Sequence, residues 1–146
     1  MKCIAVTDSA QLAECLRIRT EVFVKEQGVS IDLEVDEYDA SPTACRHFLA
    51  LDEGAPVGAS RWRAYKHGVA KLQRIAVLAA YRGRSVGRLL VRAMEADAAA
   101  QGYSEAILDA QCSAEAFYVK LGYEKVSDET FYDAGILHVR MRHSLV

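Results

Sequence analysis

The residues with the clearest chemical content form one stretch, Leu72-Gln73-Arg74-Ile75-Ala76-Val77-Leu78-Ala79-Ala80-Tyr81-Arg82-Gly83-Arg84-Ser85-Val86-Gly87-Arg88. An apolar run leads into a glycine-containing turn and then into a segment of helical period. Backbone N–H groups unpaired at a helix start, with the positive end of the helix dipole, make an anion site. Gly83 and Gly87 let the backbone approach a bulky anion closely. Arg82, Arg84 and Arg88 stand at the helix end where exposed cations are disfavoured by about 0.3–1 kcal/mol each. An anionic ligand would compensate them. Phosphate binding and an arginine-rich surface helix both fit these residues. No Gly-Lys-Ser/Thr follows the glycines, which excludes a Walker-type loop, and the three-glycine spacing of a dinucleotide fingerprint is missing.

Acidic residues crowd a different segment: Asp32, Glu34, Asp36, Glu37 and Asp39. Opposite charges at separate places suggest two ligand surfaces, or else two solvated faces. Over the whole chain 18 basic residues meet 20 acidic ones, for a net charge of −2, which argues against nucleic acid as a partner. Cys3, Cys15, Cys45 and Cys112 show neither Cys-x-x-Cys spacing nor a zinc-finger histidine pair. They read as small core residues with free thiols in a reducing compartment, which points to a cytoplasmic protein without a metal site. No apolar run reaches the roughly 18–20 residues of a membrane span, and Met1–Val6 reads as a first strand rather than a secretion signal.

The elements that must position these groups follow from period and punctuation. With 146 residues, 51% apolar and 26% charged, the composition is that of one soluble globular domain spanning 1–146. Asp8 caps a helix with Gln11 at the capping-box position, and Leu12, Cys15, Leu16, Arg19, Val22 and Phe23 repeat near the helical period up to Gln27-Gly28. Residues 29–44 read as a long loop with room for a short helix. Residues 46–51, 57–65 and 69–78 form an antiparallel meander. A helix from Ser85 to Gly102 carries Val86, Leu89, Leu90, Ala93, Met94 and Ala98 on one stripe. A strand at 104–110 follows, then a short helix capped by Ser113 with Ala114, Phe117 and Leu121 inward, and strands near 124–132 and 136–142. The strand–helix–strand unit at 69–110 implies one parallel pairing in a mixed sheet, hence an α/β (α+β) fold.

Five segments spread over the chain resemble the GNAT N-acetyltransferases. Arg82-Gly83-Arg84-Ser85-Val86-Gly87 is similar to the family's Q/R-x-x-G-x-G/A acetyl-coenzyme A motif, with Ser85 in place of the first glycine. Phe117-Tyr118-Val119-Lys120-Leu121-Gly122-Tyr123 is similar to its F-Y-x-K-x-G-F/Y helix end. Val22–Gly28, Glu34-Val35-Asp36 and Gly135–Met141 resemble the ElaA/YjcF branch. The resemblance implies a single GNAT-like domain, with a mostly antiparallel sheet of about six to seven strands flanked by helices. It also implies acetyl-CoA as co-substrate, a small-molecule amine as acceptor, and a homodimer. A non-catalytic acetyl-CoA sensor is the alternative reading.

Mapped residue by residue, the resemblance assigns the coenzyme to the backbone of Ile75, Ala76 and Val77 and to Arg82, Gly83, Arg84, Ser85, Val86, Gly87 and Arg88. A serine in helical conformation at position 85 would keep its N–H open to pyrophosphate. Tyr118 matches the family tyrosine that donates to the leaving sulfur. For the amine proton, His138 is the candidate base by its residue type, with Glu34, Asp36 or His47 as routes through water. Arg74 and Gln111 would hold an acceptor carboxylate or phosphate, whereas Glu34 and Asp36 would draw a cationic one. Trp62, between Arg61 and Arg63, reads as sheet packing.

Overall fold

A computed structural model describes residues 1–146. The apolar runs become β1 (Lys2–Ala5), β2 (Arg46–Asp52), β3 (Ala55–Lys66), β4 (Val69–Val77), β5 (Glu105–Gln111), β6 (Glu124–Asp133) and β7 (Ile136–Ser144). They join in one sheet of order β1-β2-β3-β4-β5-β7-β6. Every pairing is antiparallel except β4 with β5. The helices are α1 (Ser9–Arg19), α2 (Ile31–Glu34), α3 (Val86–Ala100) and α4 (Glu115–Lys120), and α3 is the crossover between the parallel strands.

Side-chain alternation sends β2 and β3 residues to two cores. Leu49 and Ala59 pack with Leu12, Cys15, Ile18 and Val22 from the α1 side. Phe48, Ala50 and Trp62 pack with Val86, Leu90, Val91 and Met94 on the α3 side. Trp62 is core, its indole N–H donating to Asp97 at 2.8 Å, as its packing reading predicts. The α3 axis comes close because residue 58 is glycine: a Cβ there would meet Val86 Cγ1 at 2.8 Å.

Three local expectations change. Asp8 does cap α1, accepting from Gln11 N at 2.8 Å, but the Gln11 side chain reaches Thr7 N rather than Asp8 N. The first helix does not run uninterrupted to Gln27. It widens into π-helical turns over Thr20–Glu26, and within α1 Ile18 is fully buried while Leu16 packs at the edge of the same core. Ser113 is not a cap: a 3₁₀ turn at Cys112–Ala114 precedes α4, whose N-cap is Ala114. That turn shifts the phase of the helix. Tyr118 and Leu121 face inward, and Phe117 stays 37% exposed.

Candidate active site

The parallel ladder is short. β4 pairs with β5 only from Val69 to Leu72, against Glu105 to Leu108. Past that point the strands part, and a cleft of about 760 Å³ opens with Gln73, Ile75 and Val77 on one wall and Asp109 and Gln111 on the other. A bulge accompanies the parting. Register on β3 runs from Ala59↔Ala76 to Arg61↔Gln73, so Ser60 faces two residues, and one of them, Arg74, takes φ 55. The extra residue reverses the parity of β4. Ala70 and Leu72 point to the α3 core, while Ala76 points to the α1 core. Ile75 and Val77 therefore turn their side chains to the cleft. Ala76, expected at the coenzyme, does not line the cleft: the reversed parity buries its side chain in the α1-side core.

At one end of the cleft lies the start of α3. No side chain caps it, and Ser85, Val86, Gly87 and Arg88 line the opening, so the first-turn N–H groups stand beside it. Ser85 is left-handed (φ 64, ψ 20) rather than helical, which corrects the expectation for this position and accounts for a glycine preference there. Gly87 lets Phe117 pack closely on the helix start, since a Cβ would lie 3.0 Å from Phe117 Cζ and displace the ring slightly. The arginines differ from one another. Arg84 does not line the cleft; it reaches Asp52 at 3.3 Å and stacks on Tyr81. Arg82 lines it but is held by Glu26. Arg88 and Lys120 are the lining cations without a carboxylate partner. This half of the cleft, cationic and rich in free N–H groups, fits a phosphorylated ligand arm.

Two titratable side chains meet the same cleft deeper in. Tyr118 is 8% exposed, packed edge-on against Phe117 and Tyr123. Burial pushes its phenol well above the ordinary tyrosine range. Its hydroxyl has no protein partner, whereas the Tyr123 hydroxyl donates to Glu95 at 2.7 Å. His138 is 9% exposed, stacked on Phe131, with Nδ1 2.6 Å from the Ile136 carbonyl. A carbonyl only accepts, so Nδ1 carries the proton and Nε2 the lone pair.

The acidic segment is not a solvated acceptor border. Glu34 and Asp39 are buried beneath Arg19 and Arg61. Arg19 donates to Glu34 at 2.9 Å and to Asp39 at 2.6 and 2.9 Å, and Arg61 bridges Asp36 and Asp39 at 2.7–2.8 Å. Arg74 adds contacts to the Glu34 carbonyl at 3.2 Å and the Glu34 carboxylate at 3.2 Å. Three guanidinium groups neutralise three carboxylates, which removes Glu34 and Asp36 as lures for a cation, and Asp36 does not line the cleft at all. Arg74 is committed as well: it ties the bulge to α2. His47 is buried against the Tyr38 carbonyl at 2.9 Å, away from the cleft, so it carries no proton there. Gln111 does line the cleft, paired to His138 in register and hydrogen-bonded to Gln27 at 2.8 Å. Gln27, Lys71 and Asp109 are lining residues missed from sequence. The β4–β5 register that gathers them is legible only once the strands are paired.

A mixed sheet that splays at its one parallel junction, with an uncapped helix start at the mouth, is the arrangement that the resemblance to the acyl-CoA-dependent N-acyltransferases implies. The chain belongs to the acetyltransferase (GNAT) domain family, whose model matches residues 16–145. It is 43% identical over 141 residues to the uncharacterised N-acetyltransferase YjcF of Bacillus subtilis (strain 168), covering 97% of this chain and 98% of the relative. It is also similar to an acyl-CoA N-acyltransferase from Pseudomonas aeruginosa, at 28% identity and TM-score 0.78 over 97% of each chain. The Escherichia coli ElaA structure shares the fold, with TM-score 0.82 at 24% identity and 97% of each chain covered.

Proposed function

We propose that the enzyme transfers the acetyl group of acetyl-CoA directly to a primary amine of a small molecule. The observation that carries this reading is the meeting of Tyr118, His138 and the unpartnered edge of β4 on one cleft that ends at the α3 N-terminus. The β4 backbone around Ile75, Ala76 and Val77, which β5 leaves unpaired on the cleft side, holds the extended arm of the coenzyme and presents an N–H to the thioester carbonyl, with the Val77 carbonyl shared with Arg82 Nε at 3.0 Å. Donors fixed in advance of the reaction are often the largest electrostatic contribution to acyl transfer. Arg88, Lys120 and the first turn of α3 take the phosphates, with Arg82 joining when Glu26 releases it.

His138 Nε2 accepts the proton that converts the acceptor ammonium into the nucleophile. The N–C bond then forms as the C–S bond breaks. Of the two protons the ammonium gives up, one leaves through His138 to solvent and the other balances the proton that the sulfur receives from Tyr118. Burial disfavours both a tyrosinate and a thiolate in that pocket, so a hydrogen bond that strengthens as charge develops, with late transfer, is the expected course. Release of free CoA in the presence of an amine panel tests the reading. Tight acetyl-CoA binding with no thiol released by any amine would favour the sensor instead. The homodimer implied by the resemblance would cover β6, exposed along its whole length with Val126, Phe131 and Tyr132 at the surface, and light scattering measures it.

A further inference from the structure

Beyond the cleft, on the face of the sheet that α1 leaves open, register brings one row of side chains together. Arg63 on β3 pairs with Lys71 on β4, and Asp109 on β5 pairs with Arg140 on β7. Tyr65 sits among the three cations: Arg63 lies 5.8 Å, Lys71 5.3 Å and Arg140 5.4 Å from its ring centre. Asp109 is the one carboxylate in the row, gripped by Arg140 through two nitrogens at 2.8 and 3.1 Å and reached by Lys71 at 3.4 Å, while the third Arg140 nitrogen donates to the Tyr65 hydroxyl at 3.1 Å. Arg63 has no carboxylate. It stacks on Tyr38 at 4.9 Å, donates only to the Ala64 carbonyl at 3.2 Å, and buries an Nε with no partner. Three cations against one anion leave a local excess, and the charged groups of the neighbouring acidic segment are already spent on Arg19, Arg61 and Arg74. The row is continuous with the cleft, because Lys71 and Asp109 line both.

We propose, on the reading that the cleft is an acetyl-transfer site, that its acceptor is an amine carrying a carboxylate or phosphate at its far end, which Arg63 receives with Lys71 beside it, Arg140 adding positive charge from its place on Asp109. Lys71 stands four residues before Ile75 on β4, one of them taken up by the bulge at Arg74, so about 10 Å at strand rise separates the amine and the anion of the acceptor. The Arg63 guanidinium presents donors suited to planar carboxylates and to phosphates alike. Tyr38 and Tyr65 hold it in place through their ring faces.

The test compares an ω-amino acid, an aminoalkyl phosphate, an alkylamine and an α,ω-diamine of matched length in the free-CoA assay. One or both anionic amines should exceed the alkylamine in kcat/KM by about tenfold or more, as expected for a charge-assisted hydrogen bond. The diamine should be poorest, and the preference should shrink as salt rises. Which anion wins distinguishes carboxylate from phosphate. In Arg63→Gln the ratio of anionic to neutral acceptor should fall about tenfold, through KM rather than kcat. A diamine equal to or better than the anionic amines, or a ratio unmoved in Arg63→Gln, overturns the proposal while leaving acetyl transfer intact. If no amine releases CoA, the transfer reading fails, and amide shifts of Lys71 and Tyr65 on titration with the ω-amino acid still decide the inference. Shifts absent in Arg63→Gln support it, and no shift in the parent protein ends it.

Discussion

Arg82 grips Glu26 through both guanidinium nitrogens, at 2.8 and 2.9 Å, and anchors its Nε on the Val77 carbonyl at 3.0 Å. The π-helical turns are thereby fastened to the phosphate-motif turn. Glu26 then competes with any phosphate for the same fork. Exposed ion pairs are worth about 0–1 kcal/mol, so Glu26→Gln should tighten acetyl-CoA binding by up to about fivefold. Calorimetric titration with acetyl-CoA measures it, and weaker binding in the variant would show that Glu26 helps to hold Arg82 in place instead.

Ser85 stores backbone strain at the entrance to α3. A left-handed conformation costs a residue with a side chain about 1–2 kcal/mol, partly offset by the greater unfolded-state freedom of glycine. Ser85→Gly should stabilise the fold by about 0.5–1 kcal/mol and leave acetyl-CoA affinity undiminished, because the N–H stays where it is. Thermal melts and coenzyme titration check the two halves separately. A loss of affinity without loss of stability would assign the hydroxyl a role in holding phosphate.

Much of this architecture is legible in the chain, for identifiable reasons. Strands 46–51 and 57–65 carry their own turn chemistry at Asp52–Pro56, and the α3 stripe repeats over four turns. The Arg82–Gly87 motif is contiguous and so survives reading in one dimension. What stayed hidden depends on partners far apart in sequence. Arg19 meets Glu34 and Asp39 only because α2 folds back against the π-helical turns, and nothing in the residue types distinguishes those acids from solvated Asp32 and Glu37. The bulge at Arg74 has no sequence mark, since arginine does not announce a positive φ. Tyr118 and Phe117 exchanged faces because α4 is six residues long, too short to establish its own phase after a 3₁₀ turn.

The buried charge network sets acid stability. Burial alone would raise the Asp39 pKa, but hydrogen bonds and charge from Arg19, with Arg61 adding to them, hold its carboxyl well below the usual range. Asp36 is lowered in the same sense by Arg61. A carboxyl depressed on folding stabilises above its unfolded pKa of about 3.9, and that stabilisation is lost as pH falls through the folded value. Asp39→Asn leaves Arg19 and Arg61 short of a buried counter-charge and should cost about 3–5 kcal/mol at neutral pH. The gap between the two proteins in urea midpoint should narrow below about pH 4. A gap independent of pH would mean that packing, not charge, is lost.

Tyr118 and Tyr123 are five residues apart, both buried, and they separate catalysis from stability. Tyr118→Phe removes a hydroxyl that serves no protein partner, so the fold should be unaffected while turnover drops by roughly 10²–10⁴. Tyr123→Phe removes the donor to Glu95, a carboxylate that also takes Arg92 at 2.7 Å. It should cost about 1–3 kcal/mol of stability and leave the kcat of the surviving folded enzyme near its original value. Denaturant titration alongside steady-state kinetics distinguishes the pair. Equal turnover in Tyr118→Phe and the parent would remove Tyr118 from the reaction.

His138 is placed to act as base by its tautomer as much as by its position. The Ile136 carbonyl fixes the proton on Nδ1, Phe131 stacks on the ring, and Gln111 stands opposite on β5. A base that must be neutral to work gives kcat/KM an acidic limb, along which activity rises as the ring loses its second proton. His138→Ala should lower kcat/KM and abolish that limb. His138→Gln, which keeps a polar side chain but cannot titrate, should abolish it as well. Loss of activity with the limb retained would make His138 a positioning residue, and an unaltered profile would pass the proton to another group on the cleft. Asp133 is the nearest alternative in sequence, at the β6–β7 turn, and it also lines the opening. The pH profiles of His138→Ala and Asp133→Asn, measured separately, distinguish the two. Disappearance of the limb with His138 alone removed, and its persistence with Asp133 alone removed, assigns the proton to the imidazole.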